Sequence, residues 1–432
     1  MPPIVFHTHR ARRALSGSTA VWAGLFLIIL ISSTRAVGAA GDSAGADNPS
    51  PHLTDTWFGF RQDLAKRGVD LDLTLTADFT KNLSGGLDTA GSTWRRLVDA
   101  SASLDTETLL HLKGGTIYAE FQSAVGPNAS DELVGDAQGI DGLDGVPGTK
   151  HQNRMEISQF WYQQTLMDGA VRIKIGKVDA NTEFDSSPIA QEFLHQSTGA
   201  SATLFTLPTY PDPAMGINLF VKPRQDLQVG FGVYDGSSAD GVRTGELGPP
   251  ATFFRGANDL FLIAEIDKSW SIGRDRLAGR AAIGGWFSTN HFARLDTTQA
   301  SGTGGPYALV EQALWRAAPM NEDDARGISV FLMYGYADPT ILAYDHNIGG
   351  GISWAGPISS RPDDILGLGV QAIHFSEDYH PRDEYEAAYE VFYRLQLKPW
   401  FFVKPDLQYI ANPSGNGTAD AFAVTVRLQL EF

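Results

Sequence analysis

The sequence predicts an all-β protein, a transmembrane antiparallel β-barrel of about 16 strands with a short N-terminal amphipathic helix. Many segments alternate apolar and polar residues with a period of two, the spacing that puts successive side chains on opposite faces of a strand. Over the first half of the chain, long and short connections alternate between these segments. Outer-membrane barrels combine short periplasmic turns with longer extracellular loops. An export signal at the N-terminus agrees with this fold class.

The composition excludes several other classes of protein. The chain has 432 residues, a formal net charge of −17, 46 glycines and no cysteine. An acidic chain lacks the basic face that nucleic-acid binding requires, so we expect no nucleic-acid partner. Without cysteine there is no disulfide, no cysteine-ligated metal and no thiol nucleophile. Apolar residues are not gathered into runs long enough for a bundle of transmembrane helices.

Residues 1–40 have the layout of a secretory signal peptide. They carry four arginines and no acidic residue, an apolar run at 20–31 and small residues up to Ala40. A basic start, an apolar centre and a small-residue cleavage site define such a signal. The alternative is a membrane anchor, but the run is too short to span a core of ~30 Å. We therefore expect an exported protein, followed after cleavage by a flexible leader at 41–52.

Residues 53–68 predict the N-terminal helix. Leu53, Trp57, Phe60 and Leu64 recur at spacings of four, three and four. This pattern places them on one face of a helix, and Gly68 is a typical stop.

The barrel is predicted to occupy residues 69–432. In the first strand, 69–80, the odd positions are apolar and the even positions are polar, and the last segment, 422–432, alternates in the same way. Similar segments occur at 98–109, 115–124, 157–167, 170–178, 214–221, 227–235, 259–268, 277–288, 306–317, 327–338, 347–354, 366–376, 385–397 and 401–410. The chain ends at Phe432 on an apolar-alternating strand, which is typical of outer-membrane barrels.

Aromatic residues lie near the ends of the predicted strands. The predicted members of interfacial girdles, which such barrels place at both membrane surfaces, are Trp94, Trp270, Trp286, Trp315, Trp354, Trp400 and Phe401.

If the apolar face of each strand meets lipid, the polar face lines a lumen. We select as candidate substrate-binding residues Glu120, Trp161, Gln163, Arg172, Lys174, Glu265, Arg280, Glu390, Arg394, Lys404 and Asp406. In strand 306–317 the alternation leaves open whether Glu311 or Gln312 points inward. Both signs of charge, amides and aromatic rings suit sugars, because hydroxyls bond to charged and amide groups and pyranose faces pack on rings. An ion-selective pore would instead carry a ring of one sign.

Two long connections leave alternatives open. Segment 125–156 is rich in acidic residues and glycine, so calcium binding is conceivable, although a solvated surface loop is the simpler interpretation. Segment 181–213 contains four prolines. It either folds inward and narrows the pore or lies on the surface.

Motifs of enzymes are missing, so we predict no catalytic residues, no metal site and no cofactor. The chain has no G-x-S-x-G, H-E-x-x-H or phosphate-loop motif, and its histidines are scattered. An outer-membrane barrel enzyme such as a lipid hydrolase, a non-selective general porin and a secreted binding module stand as alternatives to a sugar-selective pore.

Several motifs resemble one family in order along residues 55–432. They include WFGFRQDLAKRG (57–68), WYQQTL (161–166), RIKIGKVDANTEF (172–184), LPTYPDPAMG (207–216), YDG (234–236), GGPYALVEQALW (304–315), DDILGLGV (363–370) and KPWFFVKPDLQYIANPSG (398–415). The chain resembles the OprB-type carbohydrate-selective porins of Gram-negative outer membranes. Phe58 and Phe60 depart from the glycines usual in the first motif.

The resemblance implies a sixteen-stranded barrel in the outer membrane that admits monosaccharides such as glucose by facilitated diffusion. It also implies a constriction of charged and aromatic side chains. The partners we expect are small sugars, outer-membrane lipid and lipopolysaccharide, and the barrel-assembly machinery, reached through the C-terminal strand.

Overall fold

A computed structural model describes residues 52–144, 153–245, 259–319, 321 and 324–432. The predicted signal peptide and the predicted leader up to residue 51 lie outside the described residues.

The sixteen strands that the structure describes form one closed antiparallel barrel. Each strand pairs with its neighbours in the chain, and β1 closes the barrel on β16. The strands are β1 Val69–Ser84, β2 Thr93–Asp105, β3 Gly115–Val125, β4 Arg154–Leu166, β5 Val171–Val178, β6 Ala214–Arg224, β7 Leu227–Asp235, β8 Leu260–Ile272, β9 Leu277–Ala293, β10 Gln299–Arg316, β11 Gly327–Tyr336, β12 Tyr344–Ala355, β13 Ile365–Phe375, β14 Tyr385–Lys398, β15 Phe401–Ala411 and β16 Ala421–Glu431. The predicted fold class is confirmed, and each of the sixteen predicted segments overlaps one strand.

The period of two separates an outer from an inner surface as predicted. On β1, Phe79 is 52 % exposed on the outside, whereas Asp78 beside it is 2 % exposed and points inward. Across the closing seam, Asp78 pairs in register with Arg427 of β16. The apolar side chains of one face therefore meet the membrane, and the polar side chains of the other face line the interior.

The α-helices in the part of the chain that the structure describes are short: α1 Phe60–Ala65, α2 Thr106–Leu110 and α3 Gln196–Gly199. Helix α1 covers only part of the predicted segment 53–68. Trp57 and Phe58, with φ of 52° and 60°, and Gly59, with φ of 90°, hold left-handed backbone that a continuous helix cannot include. No described helix is both long enough and apolar enough to cross a bilayer.

Helix α2 replaces the end of a predicted strand. The segment predicted as strand 98–109 stops at Asp105, whose carboxylate accepts hydrogen bonds from the backbone N–H groups of Glu107 and Thr108. Such N-caps satisfy donors that a new helix leaves unpaired. The strand predicted from the alternating pattern therefore extended four residues too far.

The outer surface bears part of the predicted aromatic girdles. Trp94, Trp315 and Trp354 are exposed by 54 %, 47 % and 36 %. The prediction for Trp286 is wrong, because this side chain is buried in the barrel interior and packs on Phe261 with ring centroids 6.1 Å apart.

The connections at one end of the barrel are long and hold much of the core. We name L2 the segment between β3 and β4 (126–153), L3 the segment between β5 and β6 (179–213), and L4 the segment between β7 and β8 (236–259). Leu204 and Leu207 of L3 belong to one buried cluster with Phe220 and Phe261, which project inward from the wall. Burial of this apolar surface favours a conformation of L3 inside the barrel.

Candidate functional site

L3 lies inside the barrel and bonds to opposite parts of its wall. The backbone N–H of Asp185 donates to Glu265 of β8 at 2.9 Å, and the N–H of Leu194 donates to Glu390 of β14 at 2.6 Å. Both glutamates occupy inward positions of their strands. Of the two alternatives for segment 181–213, the structure shows the inward fold. The loop therefore narrows the lumen.

Two carboxylates of L3 tie the loop to the wall. Glu183 accepts from Arg172 at 2.6 Å and forms an ion pair with Lys174, both on β5. Glu192 accepts from Arg394 of β14 at 2.6 Å and lies 3.4 Å from the Lys404 ammonium of β15. Each carboxylate thus bridges two cations. Partly buried charges of opposite sign attract more strongly than exposed ones, so these contacts fix the position of the loop.

A third contact lies between these two. Arg280 of β9 donates to the carbonyl of Ser186 in L3 at 2.8 Å, and it also contacts Asp267 at 2.5 Å and Glu311 at 3.2 Å. Glu311 is bonded to Ser187 as well. Glu311, rather than Gln312, therefore points inward, which resolves the ambiguity in the sequence.

Residues 126–144 of L2 also fold into the barrel. Asp141 of L2 accepts from Arg427 at 2.9 Å, and Arg427 also pairs with Asp78. Burial raises the pKa of Asp144 to about 7 and that of Asp136 to about 6. The interpretation of this segment as a solvated surface loop is wrong for residues 126–144, because buried acidic residues find partners inside the barrel. Within the described ranges, no cluster of His, Asp or Glu could hold a metal ion.

The wall formed by β2, β3 and β4 keeps part of its inward surface exposed. Tyr118 and Trp161 stack there with ring centroids 4.8 Å apart and an interplanar angle of 19°. The Lys174 ammonium lies 3.9 Å from the centre of the Trp161 ring. Glu120, half-buried, accepts from the Gln159 amide at 2.8 Å. This aromatic and acidic surface lies beside the Arg172–Glu183 contact of L3.

The predicted residues fall into three groups. The first, on β3 to β5, contains Glu120, Trp161, Gln163, Arg172 and Lys174, in which Arg172 donates to Gln163 at 3.2 Å. The second contains Glu265 and Arg280, which lie 3.9 Å apart. The third, on β14 and β15, contains Glu390, Arg394, Lys404 and Asp406.

Within these groups, burial separates two kinds of residue. Lys174, Glu265, Glu390, Lys404 and Asp406 are buried, with exposures between 0 and 6 %. The side chains of Arg172, Arg280 and Arg394 keep 27, 26 and 25 % of their surface exposed. The five buried residues hold the loops and one another in place, whereas the three arginines remain accessible to a solute.

Some residues at the site were absent from the candidates. Glu183 and Glu192 lie in L3, where no alternation exists to reveal which way a side chain points. Tyr118 does lie on an inward strand position, so its pairing with Trp161 across β3 and β4 was the signal that could have found it.

A family model describes most of this chain. The model of the carbohydrate-selective porins of the OprB family matches residues 90–432. The chain belongs to the OprB family. It is a passive outer-membrane channel for carbohydrates and not an enzyme, so these predictions and the predicted localisation are confirmed.

Individual relatives agree with the family match. Porin B of Pseudomonas aeruginosa is 25 % identical and the alignment covers 92 % of this chain and 95 % of Porin B. The putative porin QuiX of Acinetobacter baylyi is 20 % identical over 88 % of this chain and 93 % of its own. The high-pH structure of Pseudomonas putida OprB superposes with a TM-score of 0.78 and 20 % identity, covering 90 % of this chain and 100 % of that chain. This structural likeness shows that the two share a fold.

Proposed function

We propose that this OprB-family porin passes monosaccharides such as glucose between L3 and the exposed wall of β2 to β4. The Tyr118–Trp161 pair supports the proposal most directly, since both residues are only partly buried and an exposed ring surface can receive the C–H face of a pyranose. The rings lie next to charged and amide groups that can bond to hydroxyls.

The neighbouring side chains supply both kinds of hydrogen-bonding group. Glu120 presents acceptor oxygens, and Arg172 presents guanidinium donors that are partly exposed. A sugar hydroxyl both donates and accepts, so it can bond to either. Arg280 and Arg394 carry the same donor chemistry farther around the lumen. All eleven residues predicted from the sequence belong to this proposal, six as solute contacts and the five buried ones as supports.

The test compares Trp161→Ala with Trp315→Ala in liposome swelling. Trp315 is exposed on the outer surface, so Trp315→Ala makes the same chemical change as Trp161→Ala but leaves the lumen unaltered. Loss of an aromatic contact of about 0.5–1.5 kcal/mol lowers glucose binding roughly twofold to tenfold. We expect slower glucose entry in Trp161→Ala alone. If glucose and a non-sugar solute of similar size enter wild-type liposomes at equal rates, the channel is a non-selective porin.

We propose in addition that the C-terminal strand is the segment through which the barrel-assembly machinery recognises this chain. β16 ends beside Phe432, whose backbone N–H donates to Leu73 at 2.9 Å. Deletion of Phe432 should lower the amount of folded porin in the outer-membrane fraction. Unchanged amounts would contradict this role.

We also propose that lipopolysaccharide surrounds the end of the barrel that carries the long loops. Tyr385 and Tyr389 are each 51 % exposed on the outer surface of β14, near that end. Tyrosines place an apolar ring in lipid and a polar tip at the headgroups. Co-purification of lipopolysaccharide should fall in a Tyr385→Ala/Tyr389→Ala variant, and retention of the same amount would exclude these residues.

A further inference from the structure

An apolar groove of about 460 Å3 crosses the lipid-facing wall of the barrel from β3 to β6. Its lining includes Ile117 of β3, Phe160 and Tyr162 of β4, Ile175 of β5 and Met215 of β6. Phe160 and Ile175 are 48 % and 47 % exposed on the outer surface, so the groove opens to the outside of the barrel. It is therefore continuous with the surface that meets the membrane.

The groove forms because one lysine does not follow the outward row of its neighbours. Lys177 of β5 pairs in register with Phe160 of β4 and with Met215 of β6. It is 0 % exposed, and its ammonium donates to the carbonyl of Ile157 at 2.7 Å. Gly176 before it has a φ of 140°, which glycine adopts without steric cost. The strand thus turns the lysine away from lipid and leaves a gap between Phe160 and Met215.

The lining of the groove is suited to a hydrocarbon chain. It consists of aliphatic, aromatic and thioether side chains and of backbone. The groove lies in the part of the wall that spans the bilayer, where no water is present to fill it. A gap beside apolar side chains loses dispersion contacts unless a neighbouring molecule occupies it. At this depth the neighbouring molecules are the acyl chains of membrane lipids.

The periplasmic end of the groove is marked by Tyr162. Its hydroxyl donates to the side-chain oxygen of Gln164, which is two residues closer to the short turn that follows β4. The Gln164 amide in turn donates to the carbonyl of Lys113 at 2.9 Å. Short turns face the periplasm, and tyrosines at membrane surfaces place the ring in lipid and the hydroxyl at the headgroups. Lys113 therefore lies at the level of the phosphates of the periplasmic leaflet.

The turns below the groove expose large apolar side chains. The three leucines of residues 109–112 are 41 to 58 % exposed, and Met167 of the next turn is 77 % exposed. The backbone N–H of Thr165 donates to the carbonyl of Gly114 at 2.8 Å, which holds the two turns side by side. Exposed apolar patches mark surfaces that bind a membrane or a partner. Apolar side chains are thus present from the groove down to the periplasmic rim.

The same turns carry charges of both signs. Lys113 is exposed and forms no ion pair with the residues that the structure describes. Glu107 and Asp168 are exposed as well. A phosphate is attracted to the Lys113 ammonium, and the two carboxylates favour a headgroup that also bears a positive charge. These charges match a zwitterionic phospholipid such as phosphatidylethanolamine.

We propose that a zwitterionic phospholipid of the periplasmic leaflet binds at this site, with one acyl chain in the groove and its phosphate at Lys113. The groove selects the position of the chain, and the charged turns select the headgroup. Binding involves the outer wall and the periplasmic turns alone, so it does not depend on which solute crosses the lumen.

The experiment titrates the full-length porin in detergent with phosphatidylethanolamine and measures the bound lipid by native mass spectrometry. Lys113→Ala removes the cation, and Met215→Trp fills the groove with an indole ring. The matched controls are Lys398→Ala, at an exposed lysine beside a turn on the opposite side of the barrel, and Leu332→Trp, at an outward position of β11. Lys113→Ala lies on an exposed turn, so it remains informative if Met215→Trp fails to fold.

We expect the first phosphatidylethanolamine to bind about twofold to fivefold more weakly to Lys113→Ala, which loses an exposed ion pair. Binding to Met215→Trp should weaken about threefold to tenfold, because the chain loses its contacts in the groove. Both controls should match the wild type. Equal affinities of the wild type, Lys113→Ala and Met215→Trp would overturn the site and show that lipid covers this wall without selection. If lipid A binds to the wild type and loses affinity in both variants while phosphatidylethanolamine does not, the assignment to the periplasmic leaflet is wrong.

Discussion

Glu192 of L3 and Arg394 of β14 are 202 positions apart in the chain and form an ion pair with an N–O distance of 2.6 Å. The ammonium of Lys404 approaches the same carboxylate and also donates to the Glu192 carbonyl at 2.6 Å. L3 is thereby fastened to β14 and β15 at Glu192, and nearer its start it is fastened to β5 through Glu183. Together with the contacts to Glu265, Arg280 and Glu390, these ion pairs hold L3 across the lumen.

Glu192→Gln should loosen L3 and widen the channel. Replacing the carboxylate by a neutral amide weakens charged hydrogen bonds worth about 1.5–3 kcal/mol each. We expect a larger single-channel salt conductance and weaker discrimination between glucose and a non-sugar of similar size. Gln191→Ala, at the adjacent exposed position, should change neither quantity. A Glu192→Gln channel with wild-type conductance would show that the ion pair does not hold the loop.

Gly335→Ala should also displace L3. A β-carbon at Gly335 would collide with the hydroxyl oxygens of Ser201 and Thr203, which pack against β11. The matched control is Gly285→Ala, where the nearest atom to an added β-carbon is 3.7 Å away. Conductance should rise in Gly335→Ala and stay unchanged in Gly285→Ala. If Gly335→Ala and Gly285→Ala have equal conductances, Ser201 and Thr203 do not pack against Gly335 in the membrane-embedded protein.

The packing of L2 should weaken as the pH rises between about 4 and 7. Asp144 has its pKa raised to about 7 by burial when L2 is packed, whereas a carboxylate on a displaced loop titrates near pH 4. Below pH 4 both forms hold the proton, and above 7 neither does. In the interval only the packed form holds it, so packing loses about 1.4 kcal/mol for each pH unit.

Asp144→Asn removes this contribution because an amide does not titrate. The conductance of the wild type, measured in a planar bilayer, should therefore rise relative to that of Asp144→Asn as the pH increases from 4 to 7. Burial lowers the pKa of His195 to about 3, so the titration of His195 favours the packed loops as the pH rises. Both proteins carry His195, so this effect cancels in the comparison. Parallel pH profiles for the two proteins would contradict the role of Asp144.

Arg61→Ala should destabilise the seam of the barrel. The Arg61 guanidinium donates to the carbonyls of Leu71 at 2.8 Å and of Phe432 at 2.7 Å, so it joins the segment before β1 to the chain end. Two hydrogen bonds from a charged group contribute about 1.5–3 kcal/mol each. The thermal midpoint of the barrel in detergent should fall, and that of Arg67→Ala, an exposed arginine, should not. Equal midpoints would indicate that the seam is stable without Arg61.

The alternation of side chains in the sequence determined the strands and their inward faces, and the ordered motifs gave the resemblance to the family. A strand places successive residues on opposite surfaces, so Arg172, Arg280 and Arg394 could be assigned to the interior from local sequence alone. The prediction for Trp286 was wrong because it relied on the general preference of aromatic residues for membrane surfaces and not on the alternation. The alternation also predicted that the second strand continues past Asp105, where the side chain of Asp105 caps a helix and the strand ends.

The tertiary structure decided where the loops lie and which interior residues a solute can reach. Residues in L2 and L3 have no fixed period, so nothing local indicates that Glu183, Glu192 and Asp141 turn inward to meet cations of the wall. These contacts join positions far apart in the chain, and they exist only once the barrel has closed. Burial under the loops then separates Lys404 and Glu390 from Arg394, although all three occupy equivalent inward positions on their strands.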